Sequence, residues 1–157
     1  MKIKTLEEAG RTCTGIRALG GTVVFTNGCF DILHPGHVRY LSAARGLGDH
    51  LVVAVNSDRS VRSIKDPGRP VMDEQARAEL VAALGCVDTV IVFDEDTPLD
   101  VIRYLVPDIL VKGGDWREAD IVGADVVRQA GGEVRTIAFE PGFSTSGIIQ
   151  RIIDRYG

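Results

Sequence analysis

Two histidines three residues apart follow the first strongly apolar segment of the chain. The segment covers residues 22–27, and the histidines lie in the sequence His34-Pro35-Gly36-His37. Proline is accepted in the first turn of a helix, and glycine lets a ligand approach the backbone, so a helix is predicted to begin here. Side chains at this spacing share one helical face, where both imidazoles can donate to one phosphate group beside the free N–H groups of the helix. The spacing therefore favours a phosphate-binding site.

Two other interpretations use the same residues. In a structural interpretation, the histidines cap the helix and Gly28 is a turn residue, which leaves unexplained why two histidines and a glycine coincide at this point. In a metal interpretation, Cys29, Asp31, His34 and His37 are ligands. Ligands so close in sequence would strain tetrahedral geometry, and the sequence offers no second cluster. Binding of phosphate is favoured over both.

A second candidate region is the turn Lys112-Gly113-Gly114-Asp115-Trp116. Paired glycines remove side chains that would block a ligand, so contact with a base or a sugar is predicted for this turn. In the alternative interpretation, Asp115 and Trp116 cap and pack the helix that follows.

The elements that must position these residues alternate along the chain. Short, β-branched and nearly continuous apolar segments predict five strands covered on both faces, as in a parallel sheet. These strands are residues 22–27, 50–56, 89–93, 108–112 and 133–139. Helical spacing of apolar residues predicts helices over residues 5–19, 36–46, 73–84, 98–106, 121–130 and 144–156. The polar connection from Ser57 to Pro70 is predicted to be a mobile functional loop.

This alternation predicts an α/β fold with three layers, a doubly wound sheet of five parallel strands in the order 3-2-1-4-5. Ligands of such sheets bind at the carboxyl ends of the strands, next to strand 1. The histidines after strand 1 and the glycine turn after strand 4 are therefore expected to share one cleft.

Composition limits the classes of protein that the chain can represent. With 157 residues, 45% hydrophobic and 25% charged, it is expected to form one domain, residues 1–157, with residues 1–20 as an N-terminal helical extension. Its net charge of −4 disfavours a nucleic-acid partner. Apolar runs such as Leu51 to Val55 are far shorter than the roughly 20 residues of a membrane span. Three widely spaced cysteines suit a reducing compartment, so we expect a cytoplasmic protein with no membrane partner.

The motifs together resemble a known enzyme family. Gly28-Cys29-Phe30-Asp31 followed by His34-Pro35-Gly36-His37 is similar to the GxFD and HxGH signature of the cytidylyltransferase-like nucleotidyltransferases. Further segments resemble one branch, the D-glycero-β-D-manno-heptose 1-phosphate adenylyltransferases. These segments are residues 26–34, 51–58, 69–71, 110–116 and 143–146. The resemblance covers Val23 to the end of the chain and implies a Rossmann-like nucleotidyltransferase fold.

The resemblance implies a set of site residues, which we take as expectations. The catalytic residues are His34, His37 and Lys65. The nucleotide-binding residues are Thr26, Asn27, Gly28, Cys29, Phe30, Lys112, Gly113, Gly114, Phe143, Ser144 and Thr145. The substrate-binding residues are Asn56, Asp58, Arg69, Arg77, Asp115 and Trp116. Asp31 is expected to order its turn. Arg77 as a surface helix charge and Ser144 as an ordinary N-cap remain open alternatives.

The implied reaction transfers AMP from ATP to heptose 1-phosphate, which gives ADP-heptose and pyrophosphate. Mg²⁺ is expected to be held mainly by the phosphates of ATP, without a protein metal site. The alternatives are a cytidylyltransferase acting on glycerol 3-phosphate or another small phosphate ester, and a non-catalytic nucleotide-binding module. The resemblance further implies a homo-oligomer. In many members of the family this domain is fused to a kinase, and the chain resembles the form of the domain that stands alone.

Overall fold

The computed structural model describes residues 1–114 and 116–157 of the chain. Five parallel strands form one sheet in the order β3-β2-β1-β4-β5. The strands are β1 Val23–Gly28, β2 His50–Asn56, β3 Thr89–Phe93, β4 Ile109–Gly113 and β5 Glu133–Ile137. The order predicted from the sequence is confirmed, and β2 and β3 have the predicted bounds.

The described residues form seven α-helices, of which the first precedes β1, the last follows β5 and the other five lie between strands. They are α1 Leu6–Ala18, α2 Pro35–Arg45, α3 Asp58–Ile64, α4 Glu74–Ala83, α5 Leu99–Leu105, α6 Ala124–Gln129 and α7 Thr145–Tyr156. A short 3-10 turn, Glu118–Asp120, precedes α6. The helix predicted from residue 121 therefore begins later, after Gly123, whose φ of 84° is left-handed. No helix among the described residues has the length and apolar character needed to cross a membrane.

The sheet is covered on both faces, as continuous apolar strands require. On one face, α1, α5 and α6 contribute to a core around Phe25 of β1. On the other face, α2 and α4 pack around Val24 and Val53. Ala9 and Cys13 of α1 are buried in the first core, so the predicted N-terminal helix packs against the sheet.

The connection predicted as a loop between Ser57 and Pro70 begins with a helix instead. The Ser57 hydroxyl accepts a hydrogen bond from the Ser60 N–H and caps α3. Ser60 and Val61 are buried against the sheet, which explains why this polar segment is helical. The exposed part of the predicted loop starts at Arg62, within the last turn of α3, and Lys65 is the C-cap residue of this helix.

Candidate active site

The two histidines lie at the start of α2, next to the carboxyl end of β1. His34 is the N-cap residue, and its backbone N–H donates to His37 Nδ1 at 3.3 Å. The imidazole rings stack with their centroids 3.7 Å apart and an angle of 24° between their planes. Phe30 packs edge-on against His37, with 5.5 Å between the ring centroids. The pair is therefore held by the backbone on one side and by an aromatic ring on the other.

Both histidines are neutral near pH 7. Burial, followed by the charge of neighbouring His34, lowers the pKa of His37 to about 4, and burial also lowers the pKa of His34. Because His37 Nδ1 accepts a hydrogen bond, its proton lies on Nε2, which can donate to a ligand. Among the described residues, buried His34 Nδ1 has no hydrogen-bond partner. An unpaired buried polar atom is costly, and a ligand bound in this cleft can satisfy it.

Gly36 makes room for the stacked histidines. A β-carbon at this position would lie 2.9 Å from His34 Cε1 and Nδ1, and 3.1 Å from the β-carbon of Phe143. These distances are shorter than van der Waals contact, so a larger residue would displace the His34 ring or the segment that precedes α7.

Asp31 orders the loop between β1 and α2, as expected from the sequence. Its buried carboxylate accepts hydrogen bonds from the N–H groups of Val71 and Met72 and from Arg69 Nε at 2.8 Å. Burial by itself raises the pKa of Asp31, but these bonds outweigh it and the pKa lies below its ordinary value. Arg69 is engaged in this ion pair and only 13% of its side chain is exposed, and the substrate contact predicted for it stays a prediction.

Arg77 is the most deeply buried charged residue of the described chain, and its exposure is 0%. Its guanidinium donates to the carbonyl oxygens of Met72, Cys29 and Asn56 and to the Asp58 carboxylate. The interpretation of Arg77 as a surface helix charge is therefore wrong, and the substrate contact predicted for Arg77 stays a prediction. Arg77 joins the loop after β1 to the end of β2 and to α3.

Asn56 and Asp58, which are also predicted to contact the substrate, both bond to Arg77. Asn56 is buried, and its amide donates to the hydroxyl of Ser60. The Asp58 carboxylate faces Arg77 at 2.9 Å. Thr26, predicted to bind nucleotide, is fully buried and shares a 2.6 Å hydrogen bond with the Tyr40 hydroxyl. Thr26 and Asn56 are therefore bonded inside the protein, as expected for strand residues of a sheet covered on both faces, and Asp58 joins α3 to Arg77.

The remaining nucleotide-binding residues predicted near the histidines lie at the end of β1 and in the loop that follows it. Asn27, Gly28 and Cys29 are half-buried. Phe30 has a left-handed φ of 50°, and its ring packs against Gly28, where a β-carbon would lie 3.0 Å from it. Burial raises the pKa of the Cys29 thiol, while the positive charge of Lys65 acts in the opposite direction.

Two lysines meet near this loop. Burial, followed by the positive charge of Lys65, lowers the pKa of Lys112. Lys112 Nζ also lies 5.5 Å from the centroid of the Trp116 ring. Lys65 and Lys112 come from different elements, at the ends of α3 and β4, and both lie near Cys29, in the loop that leads from β1 to the histidines.

The turn after β4 is covered by an aromatic ring that the sequence analysis missed. A β-carbon at Gly113 or Gly114 would lie within 2.8 Å of the Phe139 ring, so both glycines are needed for this contact. Gly114, Trp116, Ala138 and Phe139 line an open pocket of about 600 Å³. The sequence did contain a signal for this contact, because Phe139 is an apolar residue just beyond the end of β5. Asp115, also predicted here, lies outside the described residues.

The start of α7 approaches the histidines. The Phe143 ring lies 6.3 Å from the His34 ring, and the Arg39 guanidinium lies 5.3 Å from Phe143. Ser144 caps the helix through the Gly147 N–H, as in the open N-cap alternative. The Thr145 hydroxyl donates to the Asp31 carbonyl oxygen at 2.6 Å. The predicted Phe143-Ser144-Thr145 segment therefore faces the same loop as the histidines.

Comparison with known proteins is consistent with this geometry. The cytidylyltransferase-like family model matches residues 25–151. The bifunctional protein HldE of Syntrophotalea carbinolica is 59% identical over 140 residues, which are 89% of this chain and 29% of that protein. HldE of Trichlorobacter lovleyi is 53% identical over 155 residues, which are 99% of this chain and 32% of that protein. The chain thus spans about a third of the length of these curated relatives.

A solved structure is similar to the chain both in fold and in sequence. The crystal structure of the lipopolysaccharide core biosynthesis protein from Thermoplasma volcanium GSS1 has a TM-score of 0.65 and 32% identity. The match covers 77% of this chain and 98% of that one. The matched region holds both the GxFD and the HxGH motifs within residues 25–151, and on this evidence the chain belongs to the cytidylyltransferase-like family.

Proposed function

We propose that the chain transfers AMP from ATP to D-glycero-β-D-manno-heptose 1-phosphate and releases pyrophosphate. The observation that carries this proposal is the neutral, stacked histidine pair with an unpaired, buried Nδ1 on His34. Two lysines near Cys29, in the loop that leads to this pair, add support. The similar Thermoplasma protein is named for lipopolysaccharide core biosynthesis, and this name supports a sugar phosphate acceptor. The resemblance of residues 69–71 and 110–116 to the heptose branch supports heptose in particular.

The proposed chemistry needs no general base. A phosphate monoester has a second pKa of about 6, so the acceptor oxygen is already ionised at neutral pH. That oxygen forms a bond to the α-phosphorus of ATP, while the bond from this phosphorus to the bridging oxygen breaks and pyrophosphate leaves with the electron pair. A histidine whose pKa is about 4 suits donation of a hydrogen bond better than removal of a proton.

The protein's task is then to bring two anions together and to offset charge on the transferring group. In the proposed mechanism, Nε2–H of His37 and the ring of His34 donate to phosphate oxygens, and Lys65 and Lys112 supply positive charge; the tautomer of His37 and the proximity of the two lysines support these roles. Gly113, Gly114, Trp116 and Phe139 offer a surface on which a base or sugar can lie.

We propose that Mg²⁺ enters with ATP. The described residues include no group of three or more His, Cys, Asp or Glu side chains that could hold a metal ion. Asp31, the carboxylate of the loop that carries the histidines, is occupied by three hydrogen bonds. When bound, Mg²⁺ would neutralise part of the phosphate charge, and coordination by ATP fits this set of residues.

Product analysis tests the proposal. The protein is incubated with ATP, Mg²⁺ and heptose 1-phosphate, and products are identified by mass spectrometry beside an assay for pyrophosphate. We expect equal amounts of ADP-heptose and pyrophosphate, and neither product when the sugar phosphate is omitted. Binding of ATP without either product, under conditions where circular dichroism shows folded protein, would contradict the proposed activity.

A further inference from the structure

Tyr40 of α2 carries a hydroxyl group into the core between this helix and the sheet. It lies three residues after His37, and residues at this spacing share one face of a helix. Its ring packs against the core around Val24 and Val53. Burial raises the pKa of Tyr40 to about 12, so the hydroxyl keeps its proton and can donate a hydrogen bond. A buried hydroxyl is costly unless it is bonded, so its partners show what this position requires.

The hydroxyl joins two neighbouring strands where their pairing ends. The paired register of β1 and β4 stops at Phe25 and Leu110. One residue further along each strand, the Tyr40 oxygen lies 2.6 Å from the Thr26 hydroxyl and 3.4 Å from the Val111 carbonyl oxygen. Because a carbonyl oxygen can only accept, Tyr40 donates to Val111 and Thr26 donates to Tyr40. A side chain of α2 thus connects β1 and β4 at the edge of the sheet where the cleft begins.

The ring of Tyr40 also contacts the turn after β4. A β-carbon at Gly113 would lie 3.3 Å from Tyr40 Cε2 and 2.7 Å from Phe139 Cε1, so Gly113 lies between the two rings. The helix that carries Tyr40 begins with the histidine pair. One side chain therefore contacts β1, β4 and the glycine turn, and belongs to the helix of the histidines.

We propose that Tyr40 is a positioning residue, which holds the histidine pair at a fixed distance from the turn after β4. This proposal rests on the proposed nucleotide transfer, because it gives Tyr40 a role in the same site. In that reaction, the transferring group must meet donors from α2 and the positive charge of Lys112 together, and a small displacement of α2 would separate them. A phenylalanine would fill nearly the same space, so packing alone does not require the hydroxyl.

Steady-state kinetics of pyrophosphate release tests the proposal. Tyr40→Phe and Thr26→Val each remove the hydrogen bond and should lower kcat by about tenfold, while the KM of ATP changes by less than about twofold. The double variant should be slower than either single variant by no more than about twofold, because the same interaction is lost in all three. Thr26→Ser keeps the hydroxyl and should retain kcat.

Thr89→Val is the matched control. Thr89 is fully buried like Thr26, and its hydroxyl shares a 3.0 Å hydrogen bond with His50 Nε2 at the start of β3. Thr89→Val should lower the urea midpoint by an amount similar to that of Thr26→Val and leave kcat unchanged. A kcat equal to that of the unchanged chain in both Tyr40→Phe and Thr26→Val would overturn the proposal.

A second measurement does not depend on the reaction. In protein with isotope-labelled histidine, NMR records the ring signals of each imidazole. Tyr40→Phe and Thr26→Val should shift the signals of His34 and His37, whereas Thr89→Val should shift only those of His50. These shifts in a chain that releases no pyrophosphate would contradict the proposed function and still support the placement of the pair by Tyr40. Signals of the pair that stay in place in both variants would overturn the role of Tyr40.

Discussion

The two ends of the cleft are built differently, although both lie at the carboxyl edge of one sheet. At the histidine end, the loop after β1, the supporting charges are buried and bonded: Asp31 is 1% exposed and Arg77 is fully buried. At the aromatic end, the turn after β4 and the segment after β5, Trp116 is 51% exposed and Phe139 is 70% exposed. One end is fixed by a satisfied polar network, and the other is an open surface.

This difference matches what each end is proposed to do. Stabilising a transferring phosphoryl group requires donors fixed at defined positions before the reaction, and a fully bonded buried network fixes them. Stacking of a base or a sugar on an aromatic ring tolerates small shifts and gains from access to solvent. We therefore expect changes at the histidine end to affect stability or turnover, and changes at the aromatic end to affect binding.

The largest expected effect is on stability, at Arg77. Arg77→Met should lower the free energy of unfolding by about 3 to 5 kcal/mol, because three carbonyl oxygens and the Asp58 carboxylate lose their buried donor. Urea denaturation measures the change. Arg103→Met removes an exposed ion pair with Asp100 and should change stability by no more than about 0.5 kcal/mol. Equal effects of the two substitutions would contradict the central role of Arg77.

The next effect is on turnover. His34→Ala and His37→Ala should each lower kcat by about 10² to 10³, the usual effect of removing one preorganised donor, while ATP still binds. Steady-state kinetics and calorimetric titration with ATP measure the two quantities. His50→Gln changes the third histidine, which is bonded to Thr89, and should leave kcat unchanged. Unchanged turnover in both alanine variants would remove the histidine pair from the mechanism.

A smaller loss of turnover is expected at Gly36. Gly36→Ala should lower kcat by about tenfold to a hundredfold, since its β-carbon would displace the His34 ring from its stack. Gly15→Ala is the matched control, because a β-carbon there meets no atom within 4 Å. Thermal denaturation separates misplacement of the ring from loss of the fold. A kcat equal to that of the unchanged chain would show that the stacked geometry is not needed.

At the aromatic end, we expect an effect on KM. Phe139→Ala should raise the KM of ATP or of the sugar phosphate by about three- to tenfold and leave kcat nearly unchanged, because one exposed aromatic contact is lost. Tyr104→Ala removes an exposed aromatic residue from α5 and should change neither parameter. A fall in kcat with unchanged KM would mean that the two ends do not divide binding from chemistry as proposed.

The smallest effect concerns pH. Because the pKa of His37 in the folded chain is about 4, below its ordinary value of 6.5, the unfolded chain binds more protons between these two values. The free energy of unfolding should therefore fall as the pH decreases from 6.5 towards 4. His37→Gln should reduce this slope, as measured by urea denaturation at pH 7 and pH 5. An unchanged slope would contradict a neutral, buried His37.

The sequence predicted some elements better than others for physical reasons. Strands β2 and β3 were found with their bounds because β-branched apolar runs end sharply at polar residues. Helix α3 was missed because its seven residues are mostly polar, and its burial comes from packing against the sheet. The histidine motif could be recognised from the sequence because His34 and His37 are only three positions apart.

Long-range contacts account for the other errors. The acceptors of Arg77 come from three separate segments, the closest of them five residues away, and no local pattern records such partners. Thr26 was assigned to the cleft because it precedes the motif, but its side chain points to Tyr40 in the protein. Phe139 was missed because its contact with Gly113 and Gly114 depends on how β5 lies beside β4.

The most direct test of the proposed reaction is a comparison of kcat/KM for ATP and CTP, each with heptose 1-phosphate and with glycerol 3-phosphate. We predict that ATP with heptose 1-phosphate is the best pair. Glycerol 3-phosphate should be poorer by orders of magnitude, because each missing hydroxyl leaves a buried polar group unpaired at a cost of about 1 to 3 kcal/mol. CTP with glycerol 3-phosphate as the best pair would contradict the proposed reaction and assign the chain to the cytidylyltransferase alternative.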